Sequence, residues 1–220
     1  MKKIFILGAS GHGRSILDIV ISENKYDVVG FIDSLKIVGD TYCHRPILGR
    51  ESDLGDLIGK YQLEGYIVAI GDNYQRFLAV QRIEKAHPSL NLFTTIHPSA
   101  IIASDVEIDR GTVIMPRVTV ISGCKIGKGC ILNTASSLDH DSIMKDWSSI
   151  APGTITGGNV EIGMRSSLGL GSNLIHKIKI GDDTVIGAGS LVLKNILDRV
   201  VAYGNPCKAV RDRLIDEKYI

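Results

Sequence analysis

An α/β lobe followed by a parallel β-helix is the fold class that the sequence predicts; two hydrophobic rhythms and one compositional bias carry the prediction. Up to Pro98, short apolar runs alternate with helical patterns at the spacing of a small parallel sheet. Beyond Pro98 the period becomes six and holds, without an insertion, as far as Asn195. Aromatic residues make up only 5% of the 220-residue chain while glycine reaches 24, a balance that suits thin, regular β layers better than a bulky helical core.

In the first lobe, Ile4–Leu7 reads as a buried strand, Gly8–Gly13 as a tight turn, and Arg14–Ser22 as a helix with Ile16, Leu17, Val20 and Ile21 on one face. Val28–Ile32 forms a second strand ending in Asp33, Tyr66–Ile70 another ending in Gly71, and Gln75–Ala86 a helix stopped by His87 and Pro88. The apolar run near Met1 is four residues long, too short for the core of a signal peptide or for a membrane span. The four cysteines, Cys43, Cys124, Cys130 and Cys207, show no C-x-x-C pair and no zinc-like spacing, so a cytoplasmic protein with reduced thiols is expected. With 25 Lys and Arg against 24 Asp and Glu, no basic excess points to nucleic acid or to an anionic membrane.

The second segment is defined by two columns. Every sixth residue from Ile102 to Val192 is aliphatic or Met in fifteen of sixteen cases, Thr156 being the exception. The column two places earlier, from Ala100 to Ser190, is mostly small or β-branched. This fits a chain that turns a corner every six residues, so that three flat sides make one coil, large residues fill a narrow prism and small ones fit its corners. Sixteen hexads make a little over five coils, and roughly 4.8 Å per coil gives a stack of roughly 25 Å. The open ends need covers: a Rossmann-like lobe over residues 1–98 can cap one end of a β-helix over 99–195. A segment over 196–220, with a short helix expected across residues 212–219, can cap the other. Flat sides on a three-sided prism also suggest a three-fold oligomer.

Several residues in this register invite chemistry. His140 lies two residues past inward-facing Leu138, so its imidazole belongs to the outer surface, and Asp141 beside it would make it a better proton acceptor near neutrality. The alternative is a solvated surface histidine. His176 lies 36 residues, two coils, further along on the same side. Cys124 and Cys130 fall in the small column and read as packing residues. Gly157, Gly158, Gly187 and Gly189 either let a thin ligand arm approach the backbone or turn corners. Because Thr156 immediately precedes Gly157, a local irregularity of the coil is expected there. In the lobe, Gly8–Gly13 follows a strand and opens a helix, so its amides can cradle phosphate, with Asp33 placed where a ribose-binding acid would lie. The pattern is G-x-S-x-x-G, not G-x-G-x-x-G, and is equally compatible with NAD or with a purely structural turn.

The hexads resemble the left-handed β-helix of hexapeptide-repeat acyltransferases. The whole chain resembles the sugar acetyltransferases of the NeuD and PglD type, which modify sialic acids and nucleotide-linked amino sugars. The likeness runs through GASGHG at Gly8–Gly13, FIDS at Phe31–Ser34, AIGDN at Ala69–Asn73, IHPSA at Ile96–Ala100, ILNTASSLDHD at Ile131–Asp141 and GNPCKAVR at Gly204–Arg211. It implies acetyl-CoA as co-substrate without a metal, a homotrimer with acetyl-CoA in the groove between adjacent β-helices, and a nucleotide sugar on the N-terminal lobe. It also implies a place in bacterial surface glycan assembly, such as lipopolysaccharide biosynthesis. The resemblance puts the proton acceptor at His140, its carboxylate partner at Asp141, and an asparagine near the reacting amine at Asn133. It assigns Ser10, Gly11 and His12 to the diphosphate, Asp33, Ser34 and Gly71 to the nucleoside, and Gly158, Leu170 and Ala188 to acetyl-CoA. Ser149 stands where a relative has a second histidine at the acetyl-CoA end; its hydroxyl can donate a hydrogen bond but cannot carry charge.

The expected reaction is direct N-acetylation of a UDP- or dTDP-linked 4-amino-4,6-dideoxy sugar, with His140 as general base and no acyl-enzyme. O-acetylation of a sialic acid needs the same base. A non-catalytic trimeric scaffold would need no CoA, and a nicotinamide oxidoreductase would need a catalytic domain that a β-helix does not supply. A zinc carbonic anhydrase on a β-helix requires a histidine cluster, whereas the prism segment holds only His140 and His176.

Overall fold

The computed structural model describes residues 1–218, which form two compact units: residues 1–71 with 75–98, and residues 72–74 with 99 onward. Among the described residues no helix is long and apolar enough to cross a membrane.

The first unit is built on β1 (Lys2–Leu7), α1 (Gly11–Glu23), β2 (Tyr26–Ile32), β3 (Thr41–Tyr42), β4 (Arg45–Gly49), α2 (Leu54–Tyr61), β5 (Gly65–Val68), α3 (Asn73–Ala86) and β6 (Asn91–Leu92). Its sheet runs β3-β4-β2-β1-β5-β6, parallel except for the β3–β4 pair. Ile4, Phe5 and Ile6 are fully buried because strands of a parallel sheet are covered on both faces. The buried face of α1 is Ile16, Leu17, Ile19 and Val20, and Ile21, expected inside, is exposed. At 100° per residue Ile19 and Val20 return to the face of Ile16, while Ile21 has rotated past it. The β3–β4 hairpin was not foreseen, because its two-residue turn places Cys43 and His44 at φ 47° and 59°, where Asn or Gly is the usual signal.

The second unit is a left-handed parallel β-helix. Its first side stacks Ile101–Ile102, Thr119–Val120, Ser137–Leu138, Ile155–Thr156, Asn173–Leu174 and Leu191–Val192. The second stacks Glu107–Ile108, Lys125–Ile126, Ile143–Met144, Glu161–Ile162 and Lys179–Ile180. The third stacks Val113–Ile114, Ile131–Leu132, Ser149–Ile150, Ser167–Leu168 and Val185–Ile186. Partners are 18 residues apart, as in Ile131↔Ser149, so each coil contributes one short strand to each side. From Ile114 to Val192 the inward column is buried throughout, and from Thr112 to Ser190 so is the small column.

The corners are made by neither column. One residue in every six, from Gly111 to Gly189, has positive φ, and the series includes Arg117, Ala135, Asp141, Trp147, Asn159, Arg165, Lys177 and Asp183 as well as glycines. Gly157, Gly158 and Gly187 are not among them, so their smallness serves something other than corner turning.

Past the last coil, Val200–Gly204 pairs parallel with Val185–Ile186 and then antiparallel with Cys207–Asp212. The terminal helix expected over 212–219 is absent from residues 212–218, and Tyr219 lies outside the described residues. Asp212 ends a strand, and the buried guanidinium of Arg213 donates to the carbonyls of Asp183 (2.9 Å) and Glu217 (2.7 Å), tying the tail down in a non-helical path.

Candidate active site

His140 sits on the corner between the first and second sides, in the chain segment that leaves Leu138 and enters the strand at Ile143. Its Nδ1 lies 2.8 Å from Asp141 Oδ2, with both side chains more than half exposed. That carboxylate bond outweighs the opposing desolvation and, with the charges of Asp139 and Asp141 adding to it, raises the imidazole above its ordinary pKa. A carboxylate on Nδ1 also selects the tautomer whose lone pair is on Nε2, and Nε2 makes no hydrogen bond. This is the electronic arrangement of a general base.

The dyad is seated by neighbouring coils. Asp141 has the left-handed backbone of a corner (φ 56°), and its amide donates to Ser122 O (3.0 Å). A Cβ at Gly123, one coil before, would lie 2.5 Å from Asp141 Oδ1. On the other side, a Cβ at Gly158 would lie 2.5 Å from Cε1 and 2.8 Å from Cδ2 of the His140 ring, and closer still to Nε2. The imidazole therefore occupies the space a side chain at 158 would take. His140 O accepts from Asn159 N (2.8 Å), which locks the coil carrying Gly158 to the coil carrying His140. Among the described residues His176, one coil beyond Gly158 in the same column, makes no hydrogen bond or ion pair with this dyad.

The other residues expected beside acetyl-CoA or the amine lie elsewhere on the prism. Asn133 is on the corner between the third and first sides, its Nδ2 donating to Ile150 O (2.9 Å). Leu170 and Ala188 are exposed on that same corner, one coil apart. Ser149 is on the third side, 7% exposed, with its hydroxyl donating to Ser167 Oγ (3.2 Å). One chain thus carries His140, Asp141 and Gly158 on one edge of its first side, and Asn133, Leu170 and Ala188 on the other. Cys124 and Cys130 are fully buried, and burial pushes the Cys124 thiol up, which suits packing and not nucleophilic attack.

In the lobe, Ser10, Gly11, His12, Asp33, Ser34 and Gly71 all lie at the C-terminal ends of parallel strands β1, β2 and β5, the edge where α/β sheets bind ligands. Gly8 needs its positive φ of 110°, and a Cβ there would meet Ala69 O at 2.8 Å; a Cβ at Gly13 would strike Gly8 O. Gly11 faces open space. Two side chains are already occupied with structure. Asp33 accepts from Ala9 N (2.7 Å), Leu35 N (2.8 Å) and Lys36 N (3.1 Å), so it fastens the β1–α1 turn to the end of β2. The His12 ring is turned inward with Nε2 buried and unpartnered, and burial beside Arg76 lowers its pKa to about 4. Buried Arg76 in turn donates to Ile70 O (3.0 Å) and Gly71 O (2.9 Å), fixing the turn after β5. At His12 only the main chain is available to an anion at the helix start.

The PglD N-terminal domain family matches residues 3–83. A histidine-to-asparagine variant of perosamine N-acetyltransferase from Caulobacter crescentus, in complex with CoA and GDP-perosamine, has a TM-score of 0.90 at 28% identity, over 96% of this chain and 98% of that one. The acetyltransferase domain of PglB from Neisseria gonorrhoeae FA1090, in complex with acetyl coenzyme A, gives 0.88 at 28% identity, over 95% and 99%. Serine acetyltransferase from Buchnera aphidicola subsp. Schizaphis graminum is 31% identical over 118 residues, 53% of this chain, but the chain spans only 40% of that protein's length. Residues 3–83 thus match the PglD N-terminal domain family, and the lobe and β-helix together, in one continuous chain, are similar in fold to acetyl-CoA-dependent sugar N-acetyltransferases.

Proposed function

We propose that the protein transfers an acetyl group from acetyl-CoA to the amine of a nucleotide-linked amino sugar, with His140 as the general base. The observation that carries the reading is the exposed His140–Asp141 pair, whose Nδ1 is held by carboxylate and whose Nε2 is available to take a proton. The amine loses its proton to Nε2 as its nitrogen attacks the thioester carbonyl; the tetrahedral oxyanion collapses, the C–S bond breaks, and the leaving CoA sulfur takes that proton from the imidazolium, which returns His140 to its neutral form. No side chain needs to be acylated, in keeping with the burial of Cys124 and Cys130 in the prism.

The division of the expected site between two edges of one side supports a homotrimer in which the His140 edge of one copy meets the Asn133, Leu170 and Ala188 edge of the next. The second side is unsuited to that role, being a solvated ladder of Glu107–Lys125 (3.0 Å), Lys145–Glu161 (2.9 Å) and Lys179–Glu161 (3.2 Å). The first side exposes Ile101 and Ile155. In this reading residues 1–98 hold the nucleotide sugar, 99–195 the acetyl-CoA, and 196–220 close the prism; Ser10, Gly11, Ser34 and Gly71 face the nucleotide, and surface glycan assembly is the setting.

The acceptor is a 4-amino-4,6-dideoxyhexose carried by a UDP, dTDP or GDP group, the last because a structural relative binds GDP-perosamine. The test is thiol release from acetyl-CoA with each of the three sugar nucleotides and with a free sialic acid. Turnover with one amino-sugar nucleotide is expected. Turnover with the sialic acid alone would replace N- by O-acetylation, and none with any acceptor, together with no acetyl-CoA binding, would favour a scaffold.

A further inference from the structure

The inward column has one polar member, Thr156, and the structure shows what it does. Elsewhere on its corner, the amide that follows an inward residue donates to the carbonyl of the inward residue one coil on: Ala103 N to Val120 O (3.0 Å), Ile121 N to Leu138 O (3.0 Å), Gly157 N to Leu174 O (2.8 Å) and Ile175 N to Val192 O (3.2 Å). At the one remaining rung, Asp139 N donates to the Thr156 hydroxyl instead (3.1 Å), and that hydroxyl reaches Ser137 O (3.4 Å). Strand pairing reports the same break: Ser137 pairs with Ile155, but the Leu138 to Thr156 pair that the register would supply is lost, whereas Thr119↔Ser137 and Val120↔Leu138 are both made one coil earlier. Thr156 is 3% exposed, so its hydroxyl is a built-in part of the wall.

The displaced rung adjoins the base. Asp139 immediately precedes His140, and its Oδ1 accepts from His140 N (2.7 Å). We infer that Thr156 is a positioning residue for His140: its hydroxyl takes the place of a main-chain ladder bond, and the resulting offset of residues 139–140 sets the imidazole over Gly158. An aliphatic residue offers no acceptor, so Asp139 N would return to the regular carbonyl rung and carry the corner with it. Aliphatic side chains or Met are also what the other fifteen inward positions hold, so the hydroxyl is kept against the packing preference of the column.

The inference rests on His140 being the base, and the experiment separates the two. Thr156→Val keeps the shape and restores the apolar column, while Thr156→Ser keeps the hydroxyl. Valine is expected to melt no lower than the wild type, to lower kcat by roughly tenfold or more at little change in KM, and to move the NMR titration midpoint of His140. Serine is expected to restore kcat and the midpoint towards wild type. Valine with wild-type kcat and an unmoved His140 midpoint overturns the inference, as does serine behaving like valine. His140→Ala run alongside reports on the base itself: if it retains activity, the base assignment fails, while the His140 midpoint in Thr156→Val still decides whether Thr156 positions the ring.

Discussion

Gly158 offers a sharp separation between two roles a small residue can play beside a reacting group. In Gly158→Ala the new methyl would stand 2.5 Å from His140 Cε1 and 2.8 Å from Cδ2. Ordinary carbon contacts begin near about 3.5 Å, so the ring must retreat by about 1 Å. The backbone at 158 is not in the left-handed region and the imidazole is half exposed, so the ring can swing into solvent at small cost in stability. A displacement of that size at a general base costs roughly 10²-fold in kcat. The assay is steady-state thiol release over a range of acetyl-CoA, with melting temperature as the control for folding. The expected result is kcat down roughly 10²-fold with an unchanged melt. If the glycine served only to let the pantetheine arm pass, the loss would appear in KM for acetyl-CoA at unchanged kcat. That result, or wild-type kinetics, would refute the seating of His140 by Gly158.

Two further predictions concern pH. Because the Asp141 bond raises the His140 pKa, and the base must be neutral to act, the acid limb of kcat/KM should lie above the ordinary histidine value. Asp141→Asn should move that limb down and lower the plateau; an unmoved limb contradicts the dyad. The buried His12, with its pKa lowered from 6.5 to about 4, stays neutral in the fold while the unfolded chain takes up a proton as pH falls below about 6.5. Stability from this group is therefore complete at neutral pH and is lost between these values, by roughly 3 kcal/mol at pH 4. Urea unfolding at pH 7 and at pH 4.5 should show a shallower loss in His12→Phe than in wild type, and equal slopes would contradict an inward, neutral His12.

The β-helix was legible because its constraint is repeated: each coil must place one large side chain into the same narrow prism, so the column from Ile114 to Val192 is written into the sequence many times. The corners were not legible, since a left-handed corner closed by ladder bonds on either side accepts Arg117, Trp147 or Lys177 as readily as glycine. Of the glycines that could either turn corners or give clearance, Gly189 is a corner and Gly158 is a clearance for the His140 ring. Thr156 stood out as an anomaly, but its meaning depended on which atom Asp139 N would choose, a matter of geometry and not of pattern. In the lobe the C-terminal rim could be read from strand-turn-helix order, whereas the inward turn of His12 and the three amides on Asp33 could not. The prism sets Asn133 on the opposite edge of the first side from His140 and Ser149 on the third side, a separation that a linear motif conceals.

The measurement that bears most directly on the central claim is the rate of thiol release from acetyl-CoA by His140→Ala with the accepted sugar nucleotide. Loss of roughly 10²-fold or more in kcat, with the melt and acetyl-CoA affinity retained, is the predicted outcome. A folded variant that turns over at the wild-type rate would show that the proton leaves by another route and that this edge of the β-helix is not the catalytic one.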